Sequence, residues 1–91
     1  MIAVLDSVRQ ERNPDVRTYH CRMALTGLSI EMCHRGQSVE NEVARFILAI
    51  PGVTIAWIEP YSIQVKKARC YDWAEIQPQI LGLLSCQEGL A

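Results

Sequence analysis

A chain of 91 residues has room for one hydrophobic core and not two, because a domain of this size buries only about two thirds of the surface its unfolded form exposes. Hydrophobic residues make up 49% and charged residues 21%, so the composition is that of a globular domain. A formal net charge of −1 excludes the basic footprint that nucleic acids and anionic membrane surfaces require.

The apolar start Ile2 to Leu5 is interrupted by Asp6 and is too short for a signal peptide, so the chain is expected to be cytoplasmic. Ile2, Val4 and Val8 have strand-like spacing, and the polar run Arg9 to Asp15, with Asn13-Pro14, predicts a turn. From Val16, the residues Tyr19, Cys21, Met23 and Leu25 alternate with Thr18, His20, Arg22 and Ala24, the period of a strand with one buried face. After Thr26-Gly27 the alternation resumes with Leu28, Ile30 and Met32 apolar and Ser29, Glu31 and Cys33 between them. A two-residue hairpin at Thr26-Gly27 pairs Leu25 with Leu28, Met23 with Ile30 and Cys21 with Met32, and sets Arg22 against Glu31.

Ser38 suits the N-cap of a first helix, Glu40 and Glu42 complement its positive end, and Val39, Val43, Phe46, Ile47 and Ile50 form its apolar stripe. Pro51-Gly52 ends it. Val53 to Ile58 reads as a strand, Pro60-Tyr61 as a turn and Ser62 to Lys67 as the returning strand. Asp72 and Glu75 have capping-box spacing for a second helix, whose stripe is Trp73, Ile76, Ile80, Leu81 and Leu84, with Pro78 inside it. The expected fold is α+β in the order β-β-β-α-β-β-α. A mainly antiparallel five-stranded sheet carries both helices on one face, in a single domain over residues 1–91 with its ordered core at about 2–86.

Several stretches together carry a resemblance. These are Asn13-Pro14-Asp15 before a strand, Ala49 to Thr54 as a helix end stepping into a strand, Tyr61 to Lys67 with its aromatic-Ile-x-Val-x-Lys pattern, and Asp72-Trp73 followed by Gln77-Pro78-Gln79-Ile80-Leu81. In this order and spacing they resemble the N-terminal domain of Nfu and NifU-type iron–sulfur scaffold proteins, here as a stand-alone domain. Two departures are visible: Arg12 stands where that family often has Pro, and the Cys-x-x-Cys pattern that holds the cluster in full-length scaffolds does not occur. What the resemblance implies is an accessory protein-interaction module associated with iron–sulfur cluster assembly, in a family sometimes linked to iron binding. It carries over no catalytic residue.

Residue chemistry agrees with a non-enzymatic reading. A metal or cluster site needs converging thiolates or imidazoles, and no two of Cys21, Cys33, Cys70 and Cys86 lie close in sequence. No cofactor is expected. The nearest approach to a metal or redox site is His20 with Cys33, which the predicted hairpin places face to face on its outer side, with Cys21 turned into the core. Gly27, Gly36 and Gly52 are isolated turn glycines and build no phosphate cradle. Lys66, Lys67 and Arg69 read as a solvated strand end. With Pro60-Tyr61 as the turn, Ala56 opposes Val65 and Ile58 opposes Ile63 on the helix side, so Ile55 and Trp57 point outward beside Lys66 and Gln64. These four, Ile55, Trp57, Gln64 and Lys66, are the candidate partner-binding residues, for a protein partner or for a second copy in a homodimer.

Overall fold

The computed structural model describes residues 5–22, 31–36 and 41–85. Five strands and two helices follow the expected order: β1 (Leu5–Gln10), β2 (Val16–Cys21), β3 (Glu31–His34), α1 (Glu42–Leu48), β4 (Val53–Glu59), β5 (Ser62–Lys67) and α2 (Trp73–Ser85). The strands form one sheet in the order β1-β2-β5-β4-β3, and every neighbouring pair is antiparallel. Among the described residues, no helix is long and apolar enough to cross a membrane.

The β4–β5 hairpin follows the predicted register. Ala56 pairs with Val65, Trp57 with Gln64, Ile58 with Ile63 and Ile55 with Lys66, and the register shifts only near Val53. Ala56, Ile58, Ile63 and Val65 are fully buried, and they join Ile47 of α1 and Ile76, Ile80 and Leu84 of α2 in one core. Both helices therefore cover the same face of the sheet, because that face alone carries the uninterrupted apolar rows.

The strand after β2 departs from expectation. β2 has both edges occupied, by β1 on one side and β5 on the other, whereas β3 lies at the far edge of the sheet against β4. Cys21 consequently opposes Leu5 rather than Met32, and Glu31 opposes Ile58 rather than Arg22. Arg22 instead meets Asp6 at 3.4 Å. Pairing with β4 also reverses the phase of β3. Cys33 lies beside Ala56 and is buried, while Met32 lies beside Trp57 and is 53% exposed. Alternation along a strand reports which residues share a face, but not which strand lies alongside. The predicted Thr26-Gly27 turn, with its Leu25–Leu28 and Met23–Ile30 pairs, lies outside the described residues.

Helix α1 begins later than Ser38, which is also outside the described residues. Asn41 is the N-cap, and its side chain accepts the backbone N–H of Ala44 at 3.0 Å. A helix of two turns starting there buries Val43, Ala44, Ile47 and Leu48, and it leaves Phe46 46% exposed instead of in the core. Phe46 lies to the side, where with Ala49, Ile50, Gln79 and Leu83 it borders a groove of about 310 Å³.

The end of α1 is held by a residue from the β3 exit. Arg35 Nη1 donates to the carbonyl oxygens of Leu48 (2.9 Å), Ile50 (2.8 Å) and Val53 (3.1 Å), placing a cation at the negative helix terminus. Gly52 then turns the chain with φ of +98°, a conformation side-chain-bearing residues avoid, and its carbonyl accepts the N–H of Ala68 at 2.7 Å.

At the start of α2, the Glu75 carboxylate accepts the backbone N–H of Asp72 at 2.9 Å, which is the return half of the predicted capping box. The helix continues through Pro78 to Ser85. Proline has no N–H to give, so the carbonyl of Ala74 lacks its helical i+4 donor.

Candidate functional site

The sheet face turned away from the helices carries the four residues singled out by sequence. Ile55 and Trp57 on β4 stand beside Lys66 and Gln64 on β5, as the hairpin register requires. Continuing across the sheet, Met32 flanks Trp57 on one side and Thr18 flanks Gln64 on the other. The row Met32–Trp57–Gln64–Thr18 thus passes from apolar at the β3 edge to polar toward β1. Trp57 and Ile55 are partly buried, so the exposed apolar surface at this edge is centred on Met32.

The polar half is tied together by hydrogen bonds. Gln64 Nε2 donates to Thr18 Oγ1 at 3.3 Å, and Thr18 Oγ1 donates in turn to the Glu11 carboxylate. That bond, together with one from Arg9 Nε at 3.0 Å, holds the Glu11 carboxyl below the usual carboxylate range. Thr54 Oγ1 donates to the Lys66 carbonyl at 3.2 Å. These links fix side-chain positions around Trp57.

His20 and Cys33 are not brought together. They lie on β2 and β3, which β5 and β4 separate, and three strand spacings amount to about 14 Å. They also face opposite ways: His20 aligns with Ser62 on the open face, and Cys33 is buried under the helices. The expectation that Cys33 occupies the outer face is corrected by the β3 register. Cys21 is buried as expected, and burial pushes its thiol up to about 11. Cys70 is exposed in the β5–α2 connection. Among the described residues, no three His, Cys, Asp or Glu side chains gather as a metal-ligand set.

A second polar arrangement, on the helix side, has no counterpart in the sequence reading. Lys67 is buried, not a solvated strand end, and its Nζ meets Asp15 Oδ1 at 2.8 Å. Asp15 belongs to the Asn13-Pro14-Asp15 turn, which is closed by the Asn13 side chain accepting the Asp15 N–H at 2.9 Å. The same turn accepts the indole N–H of Trp73 at the Pro14 carbonyl, at 2.8 Å. Two cations flank that indole, Arg17 at 4.9 Å and Lys67 at 6.0 Å from the ring centre. Arg17 and the Tyr19 hydroxyl both donate to Gln77 Oε1, joining β2 to α2. Burial pushes the Tyr19 phenol up to about 12, so it remains a donor throughout the physiological range. The one legible trace of this cluster is the spacing of the Asn-Pro-Asp and Asp-Trp stretches. Their contact is a product of the fold.

An antiparallel five-stranded sheet with two helices on one face, joined through an Asn-Pro-Asp turn clamped to the second helix, defines a small two-layer α+β domain. The same fold is seen in protein SAV1430 from Staphylococcus aureus. Its crystal structure superposes with a TM-score of 0.78 at 15% identity, over 88% of this chain and 96% of that one. A NifU-like protein from Saccharomyces cerevisiae shares the fold with a TM-score of 0.73 at 18% identity, over 97% of this chain and 82% of that one. No protein-family model and no curated protein matches the sequence.

Proposed function

We propose that this chain is a non-catalytic protein-interaction module of the Nfu/NifU N-terminal type, acting in the cytoplasm with proteins of iron–sulfur cluster assembly. The observation that carries the proposal is the fold shared with a NifU-like protein over 97% of the chain. Residue chemistry supports the non-catalytic part, since Ile55, Trp57, Gln64 and Lys66 offer contact area and hydrogen-bonding groups but no acid–base pair. Trp57 is the anchor of the contact and Met32 extends it to the sheet edge.

The test is a photo-reactive amino acid placed at Gln64 and, separately, at the exposed helix residue Gln79, with crosslinking in extract of the source cells. Crosslinks from position 64 to components of cluster assembly, lost in Trp57→Ala and absent from position 79, are expected. Crosslinks only to a second copy of the chain, or none from position 64, overturn the assembly role. Anaerobic reconstitution with iron and sulfide is expected to leave the protein colourless. Stoichiometric iron that disappears in Cys33→Ser would sink the non-metal reading.

A further inference from the structure

On the helix side, away from the face just described, Arg17, Trp73, Ala74, Gln77, Pro78 and Leu81 line a groove of about 320 Å³. Its charge is unbalanced. Of the two cations at the Trp73 ring, Lys67 is neutralised by Asp15. Arg17 is held by neutral acceptors, with Nε on Gln10 Oε1 at 2.7 Å and Nη1 on Gln77 Oε1. Among the described residues no carboxylate pairs with it. These bonds leave its Nη2 amino group available and fix the guanidinium plane, which is the preorganisation that carboxylate recognition uses.

Ala74 and Pro78 are both exposed and both line the groove, and the proline leaves the Ala74 carbonyl without its helical i+4 donor. Exposure at these two positions opens the groove along the helix, which suits a chain lying across it better than a small molecule that must be enclosed. We infer that this groove docks an extended acidic segment of a partner protein, its carboxylate paired with Arg17, an adjacent apolar side chain lying on Trp73 and Leu81, and a backbone N–H given to Ala74. The site is independent of the assembly role, since it shares no residue with the Ile55–Trp57 face.

The experiment selects displayed random linear peptides against the intact folded chain, then measures the enriched peptides by fluorescence anisotropy and maps them by amide chemical shifts. The expected binders carry Asp or Glu next to a bulky apolar residue, weaken with added salt, and shift the amides of Trp73, Ala74 and Gln77. Arg17→Gln should weaken them by about tenfold or more, as loss of a charge-assisted contact does. Pro78→Ala restores the helical N–H, so it should raise the unfolding midpoint and still weaken binding a few-fold. The inference is overturned by any of four results: no enrichment, binders without an acidic residue, shifts confined to Met32 and Trp57, or full affinity in a folded Arg17→Gln chain. Should Arg17→Gln not fold, the wild-type shift map and Pro78→Ala decide the matter.

Discussion

Replacing Gly52 by Ala tests how the end of α1, the start of β4 and the β5–α2 connection are locked together. Gly52 has φ of +98°, and a Cβ built there would lie 2.6 Å from Tyr71 Cγ, 2.7 Å from Tyr71 Cδ2 and 3.0 Å from Ile76 Cδ1. Two costs add. The left-handed backbone costs an alanine about 1–2 kcal/mol. Ordinary carbon contacts fall near 3.5 Å, so the Tyr71 ring must retreat by about 1 Å, and such overpacking costs about 1–3 kcal/mol. Reduced freedom of the unfolded chain returns about 0.4–1 kcal/mol. The net expectation is a loss of about 2–4 kcal/mol, a large share of the roughly 5–14 kcal/mol available to a domain of this size. In urea, with a slope of about 1–2 kcal/mol per molar, the midpoint should fall by at least about 1 M at unchanged slope. Because the two closest contacts are on Tyr71, Gly52→Ala should cost little more than the backbone part and the looser Ile76 contact in a Tyr71→Ala background, and the double-mutant cycle isolates the ring's share of the clash. A Gly52→Ala midpoint equal to wild type refutes the close approach of Tyr71. An equal cost in both backgrounds refutes the assignment of the loss to that ring.

Arg35→Ala should destabilise by about 1–3 kcal/mol, since one charged donor group serves three carbonyls between the end of α1 and the start of β4, and a denaturation midpoint within error of wild type would contradict the clamp. Gly82→Ala should stabilise by about 0.5–1 kcal/mol, because Gly82 is exposed inside α2 with nothing within 4 Å of an added Cβ; a lowered melting temperature would show an unseen constraint. Phe46→Ala should cost about 1 kcal/mol, not the 3–5 of a buried phenylalanine, given its 46% exposure, and a loss near the larger figure in denaturant unfolding would return Phe46 to the core.

Local patterns were legible where the partner is adjacent in sequence. The β4–β5 hairpin is an example: a short turn fixes which residues oppose, so Ala56, Ile58, Ile63 and Val65 could be assigned to the core from alternation alone. The same rule does not extend to β3, because the stretch after β2 does not return on its neighbour but reaches the far edge of the sheet and pairs with β4. A partner change of that kind inverts every side chain, and it placed Cys33 inside and Met32 outside. The error at α1 has a different origin. Both Ser38 and Asn41 are competent caps, and in the helix that starts from Asn41 the buried face runs through Val43, Ala44, Ile47 and Leu48, with Phe46 to its side.

Charged residues show why the two faces differ in legibility. Ile55, Trp57, Gln64 and Lys66 could be grouped from one hairpin register, since each position follows from its neighbour by a period of two. Lys67 follows the same period onto the helix side, where composition argues that a lysine does not belong. Its burial depends on Asp15, supplied by a turn before β2, and on Trp73 from the start of α2. A buried cation of this kind is tolerated only when a remote segment brings its counter-charge, and such a segment leaves no periodic mark beside it. Arg17 sits one step along the same surface with neutral partners in place of a carboxylate. The contrast between these two cations around one indole, one satisfied and one held ready, is a tertiary fact. It makes the acidic-segment groove visible in the structure alone, even though each of its residues was in plain view in the chain.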